Sequence, residues 1–180
     1  MGKTPKLEMV AMENLIPYAR NPKQHPSGQI ARIAASLKEF GWTRPILTDE
    51  EGTVLAGNGT LEAARMLREA GTSIFDWPDT GLVPVVRKIG LTMAQKRAYV
   101  IVDNRLPELG DWDEEMLAVE IGDLQGEGLD LALTGFDAEK IADLLGEVPD
   151  FAPVDSSEQP RLDRKNPVTC PECGHEFIPS

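Results

Sequence analysis

The chain of 180 residues is 41% hydrophobic and 27% charged, enough for one domain with a core plus appendages. It holds two cysteines, which excludes a disulfide framework, and neither a bilayer-length apolar run nor a signal-peptide h-region, so a cytoplasmic protein with no membrane partner is expected. The net charge of −12 is uneven: residues 1–106 carry 14 Lys/Arg against 11 Asp/Glu, residues 107–150 carry 1 against 14, and residues 151–180 carry 3 against 5. Overall acidity argues against non-specific coating of DNA but leaves a local basic face on the first part.

In chain order, Leu7 to Ala11 reads as a first strand. Ile16 to Pro22 is irregular, because two prolines interrupt it. Ser27 is placed to cap a helix to about Phe40, whose Ile30, Ile33, Ala34 and Leu37 form an amphipathic stripe, and Gly41 stops it. Arg44 to Thr48 and Thr53 to Ala56 form a hairpin around Asp49-Glu50-Glu51-Gly52, with those carboxylates solvated at its tip. Gly57 to Thr60 turns into a helix reaching about Ala70, with Leu61, Ala63, Ala64 and Leu67 inward. Val83 to Ile89 is a strand that Pro84 places near an edge or a strand start. Thr92 and Gln95 make a capping box for a helix with Ala98, Tyr99 and Val102 buried. Asp111 caps a helix to about Gln125, with Leu117, Ile121 and Leu124 inward. Asp137 caps the last helix, where Phe136 and Ile141 fit a hydrophobic staple. From Val148 to Thr169 helix signals vanish and prolines recur, the composition of a flexible linker. The expected division is residues 1–106, a small α/β domain; 107–147, an acidic helical extension; 148–169, the linker; and 170–180, a Cys-bearing tail. The acidic part reads first as a solvated helical surface and second as a docking face for a basic partner.

Four groups of residues carry candidate chemistry. Gly57, Asn58, Gly59 and Thr60 join a strand to a helix N-terminus, where free amides and the helix dipole suit phosphate; Asn58 and Thr60 read equally as helix caps. Asp103, Asn104 and Arg105 offer oxygen ligands and a phosphate fork, or else a plain helix end. Arg20, Asn21 and Pro22, with Lys23, Gln24 and His25, form a donor-rich loop that could close over an anion or simply lie on the surface. Cys170 and Cys173, with His175, have the spacing of half a zinc knuckle, with a reduced tail or a redox pair as alternatives. No Ser-His-Asp set or phosphate-loop Lys is evident.

These stretches in their order resemble the ParB/sulfiredoxin-like N-terminal domain. The likeness rests on Asn21-Pro22, Ile30 to Gly41, Arg44-Pro45-Ile46-Leu47, Gly57 to Ala64, Val83-Pro84-Val85-Val86, Leu91-Thr92, Arg97-Ala98-Tyr99 and Asp103-Asn104-Arg105-Leu106. It continues through Trp112-Asp113 and Thr134-Gly135-Phe136-Asp137. The longer pattern is similar to a branch found in phage and mobile-element proteins, often fused to or encoded near DNA methyltransferases. The resemblance implies a compact α/β (α+β) fold with a small mixed sheet. It also implies nucleotide phosphates at Gly57, Asn58, Gly59 and Thr60, with Arg20 or Arg105 pairing to phosphate and Mg²⁺ near Asp103 and Asn104. Expected partners are a nucleotide, DNA, a DNA methyltransferase or another phage protein, and a second copy in a homodimer. Zn²⁺ at Cys170, Cys173 and His175 is the second expected cofactor.

The departures from the family shape the expectation. Thr60 stands where the family's turn usually ends in Arg, which favours binding over NTP hydrolysis. The turn lacks the cysteine that sulfinic-acid reduction needs. The helix-turn-helix and dimerisation domains of chromosome-partitioning ParB have no expected counterpart, and no methyltransferase domain is expected within these residues. The functional expectation is a nucleotide-binding protein of phage or mobile-element DNA metabolism or modification, with Mg²⁺-dependent NTP hydrolysis as an added activity. A non-enzymatic DNA-binding or adaptor protein stands second and a ParB-like nuclease third.

Overall fold

The computed structural model describes residues 6–77, 81–146, 168–169 and 175–177. The chain divides into two compact units, Met1–Glu147 and Val148–Ser180. In the first, β1 (Leu7–Ala11), β2 (Ile46–Thr48), β3 (Val54–Ala56) and β4 (Leu82–Arg87) form one mixed sheet in the order β1-β4-β2-β3. The small mixed sheet expected from the resemblance is therefore present. Pro84 suggested an edge or a strand start; β4 is an interior strand, antiparallel to β1 and parallel to β2, with Pro84 near its start. The proline is tolerated because it lies opposite Met9, in the part of β4 that precedes the pairing of Val85 with Ile46.

Helices α1 (Ser27–Phe40) and α2 (Asn58–Glu69) supply the core that covers the sheet. Ile30, Ala34 and Leu37 of α1 are buried with Leu61, Ala63, Ala64 and Leu67 of α2 against Ile46, Val54, Val83 and Val85. The 3.6-residue stripes read from the sequence are the buried faces. Ser27 is the first helical residue rather than the cap, which falls on Pro26 with no side-chain hydrogen bond.

Helix α3 (Met93–Arg105) has the expected capping box, Thr92 Oγ1 accepting from the Gln95 N–H and Gln95 Oε1 from the Thr92 N–H. Its buried side differs from expectation. Ala98, Tyr99 and Val102 face outward, while Lys96 and Val100 are buried and Asn104 half-buried. A stripe of Lys, Val and Asn escapes a count of apolar periods. Lys96 is drawn inward by charge: its Nζ lies 2.9 Å from Asp49 Oδ2 and 3.1 Å from Glu50 Oε2. The hairpin tip is thus not wholly solvated, since Asp49 is only 3% exposed. Asp49 Oδ1 also accepts the N–H groups of Glu51 and Thr53 at 3.0 and 2.8 Å. Burial pushes the Asp49 carboxyl up, but the Lys96 ammonium and these two amides outweigh it and hold it below 3.8.

Helices α4 (Glu114–Gly126) and α5 (Ala138–Gly146) share a second, smaller core of Ala118, Ile121 and Leu144, flanked by Leu117, Phe136, Ile141 and Leu145. Asp113, not Asp111, caps α4 by accepting the Met116 N–H at 3.1 Å. Asp137 accepts the Lys140 N–H at 2.9 Å, as expected. Arg32 of α1 donates to the Gly135 carbonyl at 2.7 Å and ties this pair to the first core.

In the second unit, β5 (Val168–Thr169) pairs antiparallel with β6 (Glu176–Phe177). Val168 and Thr169 are therefore strand, where the sequence suggested the end of a linker. Cys170 and Cys173 lie outside the described residues; His175 is exposed beside β6. Among the described residues no helix is long and apolar enough to cross a membrane.

Candidate functional site

The turn after β3 is built on Gly57, which caps α2 in the left-handed region at φ 93°. An L side chain there would be strained, and its Cβ would also press on Ile46 Cγ1 at 3.3 Å. No side chain caps the helix, so the capping alternative for Asn58 and Thr60 does not hold. The Asn58 side chain works elsewhere: its Oδ1 accepts the Tyr18 N–H at 3.3 Å and its Nδ2 donates to the Val54 carbonyl at 3.4 Å. Asn58 thereby fastens the loop after β1 to the glycine turn. The first-turn amides of α2 keep no acceptor within the helix and carry the positive end of its dipole.

In front of this turn lies a cleft of about 290 Å³. It gathers Gly57, Asn58, Gly59 and Thr60 with Asp103 and Asn104 from the end of α3, Asn21 and His25 from the donor-rich loop, and Gln29 and Ile33 from α1. Three stretches far apart in sequence thus share one cavity. Gly59 admits a close approach: a Cβ there would stand 3.1 Å from His25 Nδ1 and 3.2 Å from Ile33 Cδ1. His25 Nδ1 in turn lies 3.1 Å from Gln29 Oε1, which orients the ring. Arg20 and Arg105 are not among the lining residues; Arg105 pairs with Glu108 at 3.2 Å.

The cation that does line the cleft is Arg44, which sequence reasoning placed only on a strand. It stands two residues before β2, outside the strand, so no strand or helix period in the sequence marks it. Lys23 Nζ holds Glu108 Oε1 at 2.6 Å and straps the loop to the turn after α3. That ion pair, with Arg105, keeps the Glu108 carboxyl below its ordinary range. Tyr99 Oη donates to Asp103 Oδ1 at 3.4 Å. Burial first, and the Asp103 charge second, raise the Tyr99 phenol, so it stays a donor.

The donor set can be tested against a divalent cation. Asn104 Nδ2 donates to the Val100 carbonyl at 2.8 Å, which leaves its Oδ1 as an oxygen ligand beside the Asp103 carboxylate. Among the described residues no three His, Cys, Asp or Glu side chains gather as a metal cluster. One carboxylate and one amide oxygen fit Mg²⁺ completed by phosphate oxygens, the usual way in which this ion is held. They do not fit a two-metal centre made by protein alone.

The family model described as ParB-methyltransferase HTH domain matches residues 115–171. That corrects the expectation that no helix-turn-helix counterpart is present. The chain is 37% identical over 97 residues to the ParB-like nuclease domain-containing protein YnaK of Escherichia coli (strain K12), covering 54% of this chain and 99% of that protein. A solved structure of the same fold is the C-terminally truncated chromosome-partitioning protein ParB of Caulobacter crescentus complexed with CTP-gamma-S. The TM-score is 0.59 at 18% identity, with 81% of each chain covered.

Proposed function

The chain belongs to the ParB-like domain proteins, and from that membership we propose that it binds a nucleotide through its phosphates in the cleft between α2, α3 and the loop after β1. The observation that carries this reading is the convergence of the α2 N-terminus, Arg44, and the Asp103–Asn104 pair on one cavity. The amides of Gly57 to Thr60 receive phosphate oxygens, Arg44 supplies the fixed positive charge, and Asn58 holds the loop in place. Asp103 and Asn104 are the residues that would hold Mg²⁺, which would supply positive charge to offset that of the phosphates. Asn21 and Gln29 face the same space as neutral donors. The Caulobacter protein's CTP analogue makes a cytidine nucleotide the first candidate.

Binding, rather than turnover, is the proposed activity. Thr60 brings no charge to the turn, and among the described residues no second carboxylate lines the cleft to activate water. The same shortage places nuclease chemistry behind nucleotide binding. The ParB-methyltransferase character of the match over residues 115–171 supports a setting in DNA modification.

Calorimetric titration of the full chain with CTP, ATP, GTP and UTP, with and without Mg²⁺, tests the reading. At least one nucleotide is expected to bind, and Arg44→Gln should weaken it at least about tenfold, the scale of one charge-assisted contact. Asn104→Ala should remove the gain from Mg²⁺ while leaving Mg²⁺-free binding unchanged. Thr60→Arg should strengthen binding. Silence with all four nucleotides would overturn the assignment.

A further inference from the structure

Helix α3 carries Asp103 and Asn104 into the cleft, yet it contributes to neither hydrophobic core. Of its thirteen residues only Lys96 and Val100 are buried. Ala98, Tyr99, Ile101 and Val102 are exposed. Its fastening is therefore largely polar. The Lys96 ammonium, buried with Asp49, bridges the carboxylates of Asp49 and Glu50 at the tip of the β2–β3 hairpin. The ion pair beyond the other end of α3, Lys23 with Glu108, has side chains 38% and 45% exposed and holds much less firmly.

The hairpin tip that receives Lys96 is held in shape by bonds of its own. Asp49 Oδ1 accepts the Glu51 and Thr53 N–H groups. Arg87 of β4 donates through Nη1 to the carbonyls of Asp49 and Glu50 at 3.2 and 3.3 Å. From this tip β3 runs straight into Gly57 and the first turn of α2. On α3, Val100 and Asn104 follow Lys96 at successive helical turns on one side, and Asn104 Nδ2 donates back to the Val100 carbonyl. One hairpin thus grips α3 at its tip and presents the glycine turn at its end. The two halves of the cleft, amides and oxygen ligands, are joined through this grip.

Resting on the nucleotide reading of the cleft, we propose that Lys96 is a positioning residue for Asp103 and Asn104. Its bonds to the hairpin fix where along and around its axis α3 delivers those two side chains to a divalent cation on the phosphates. Lys96 does not line the cleft, so it acts through the helix and not on the ligand. A buried ion pair adds little stability over an apolar replacement of similar size. What it adds here is direction: charge-assisted bonds to two carboxylates set a register that apolar packing, with Val100 as its only buried member on α3, leaves loose.

The test uses the full chain in two measurements: titration with CTP with and without Mg²⁺, and hydrogen exchange with no nucleotide. The variants are Lys96→Met, Lys96→Arg, and the neutral pair Asp49→Asn with Lys96→Met, which leaves no buried charge unpaired. In Lys96→Met and in the neutral pair, α3 amides are expected to lose protection while those of α2 and β4 keep theirs. The gain in affinity from Mg²⁺ should fall about tenfold or more, the scale for a residue behind a metal ligand. Mg²⁺-free affinity should stay near that of the wild type, because the hairpin keeps its own bonds. Lys96→Arg keeps the charge and should keep most of the gain. A neutral pair that melts above Lys96→Met yet still lacks the Mg²⁺ gain separates positioning from stability. A full Mg²⁺ gain or unchanged α3 protection in the neutral pair would overturn the proposal, as would a Mg²⁺-free affinity that falls as far as the Mg²⁺-bound one. A wild-type chain silent with CTP would remove the ligand and this role with it, while the exchange data would still report whether Lys96 holds α3.

Discussion

A methyl group at Gly59 would press on His25 and Ile33 at the wall of the cleft. Helix propensity alone would make Gly59→Ala stabilising by up to about 1 kcal/mol. The crowding acts on the far ends of two side chains and offsets part of that gain. The expected result is a nearly unchanged melting temperature with nucleotide affinity reduced at least tenfold, because the added carbon occupies the approach to the α2 amides. Calorimetry beside thermal melting separates the two effects. Lys96 shows the other kind of residue, one whose work is electrostatic and internal. Removing its charge with Lys96→Met leaves Asp49 buried without a cation, which lowers the melting temperature at neutral pH. The Asp49 carboxyl is depressed in the folded chain, so its contribution is present above the unfolded pKa and fades as pH falls through the folded one. In the Met variant Asp49 is instead easily protonated. The deficit in melting temperature should therefore shrink as pH drops from 7 towards about 4, and a gap that stays constant with pH would refute the charge account.

At the scale of elements, what the sequence reveals depends on whether a face is apolar. The stripes of α1 and α2 are legible because Ile30, Ala34, Leu37, Leu61, Ala64 and Leu67 repeat with the helical period. The inner face of α3 is not, because Lys96 and Asn104 stand on it for reasons located in other elements: the hairpin carboxylates for one, the cleft for the other. The exposed apolar residues of α3 mimic a core stripe, which led Tyr99 and Val102 to be read as buried. The candidate site shows the same division. Its glycine turn and Asp103–Asn104 pair are visible as motifs, whereas Arg44 lies just before β2 and only the folded chain brings it beside them. The two cores differ in depth as well. The α4–α5 core has three fully buried members, while the sheet and α1–α2 share a far larger one. Leu144→Ala should cost about 2–5 kcal/mol locally and open the helix pair first. Hydrogen exchange would show amides of α4 and α5 losing protection while those of β4 keep theirs.

For the whole molecule, the described lining of the cleft falls between Asn21 and Asn104, and the second compact unit begins at Val148. A chain ending at Gly146 should bind nucleotide with unchanged affinity, and replacing Cys170 and Cys173 with Ser should leave the titration as it was. A fall in affinity on either treatment would give the tail a part in the site. Charge is divided along the chain: the cleft lies in residues 1–106, the mildly basic part, and the carboxylate-rich stretch in residues 107–150.

The central place of β4 also sets an order of events during synthesis. Leu7 pairs with Val86 and Ala11 with Leu82, so β1 leaves the ribosome long before its neighbour exists. The β2–β3 hairpin and the two core helices have local partners and can gather while the chain is still growing; β1 waits with its edge unpaired. Closing so long a loop delays the sheet, and the nascent chain passes through a stage in which one strand is open to other chains.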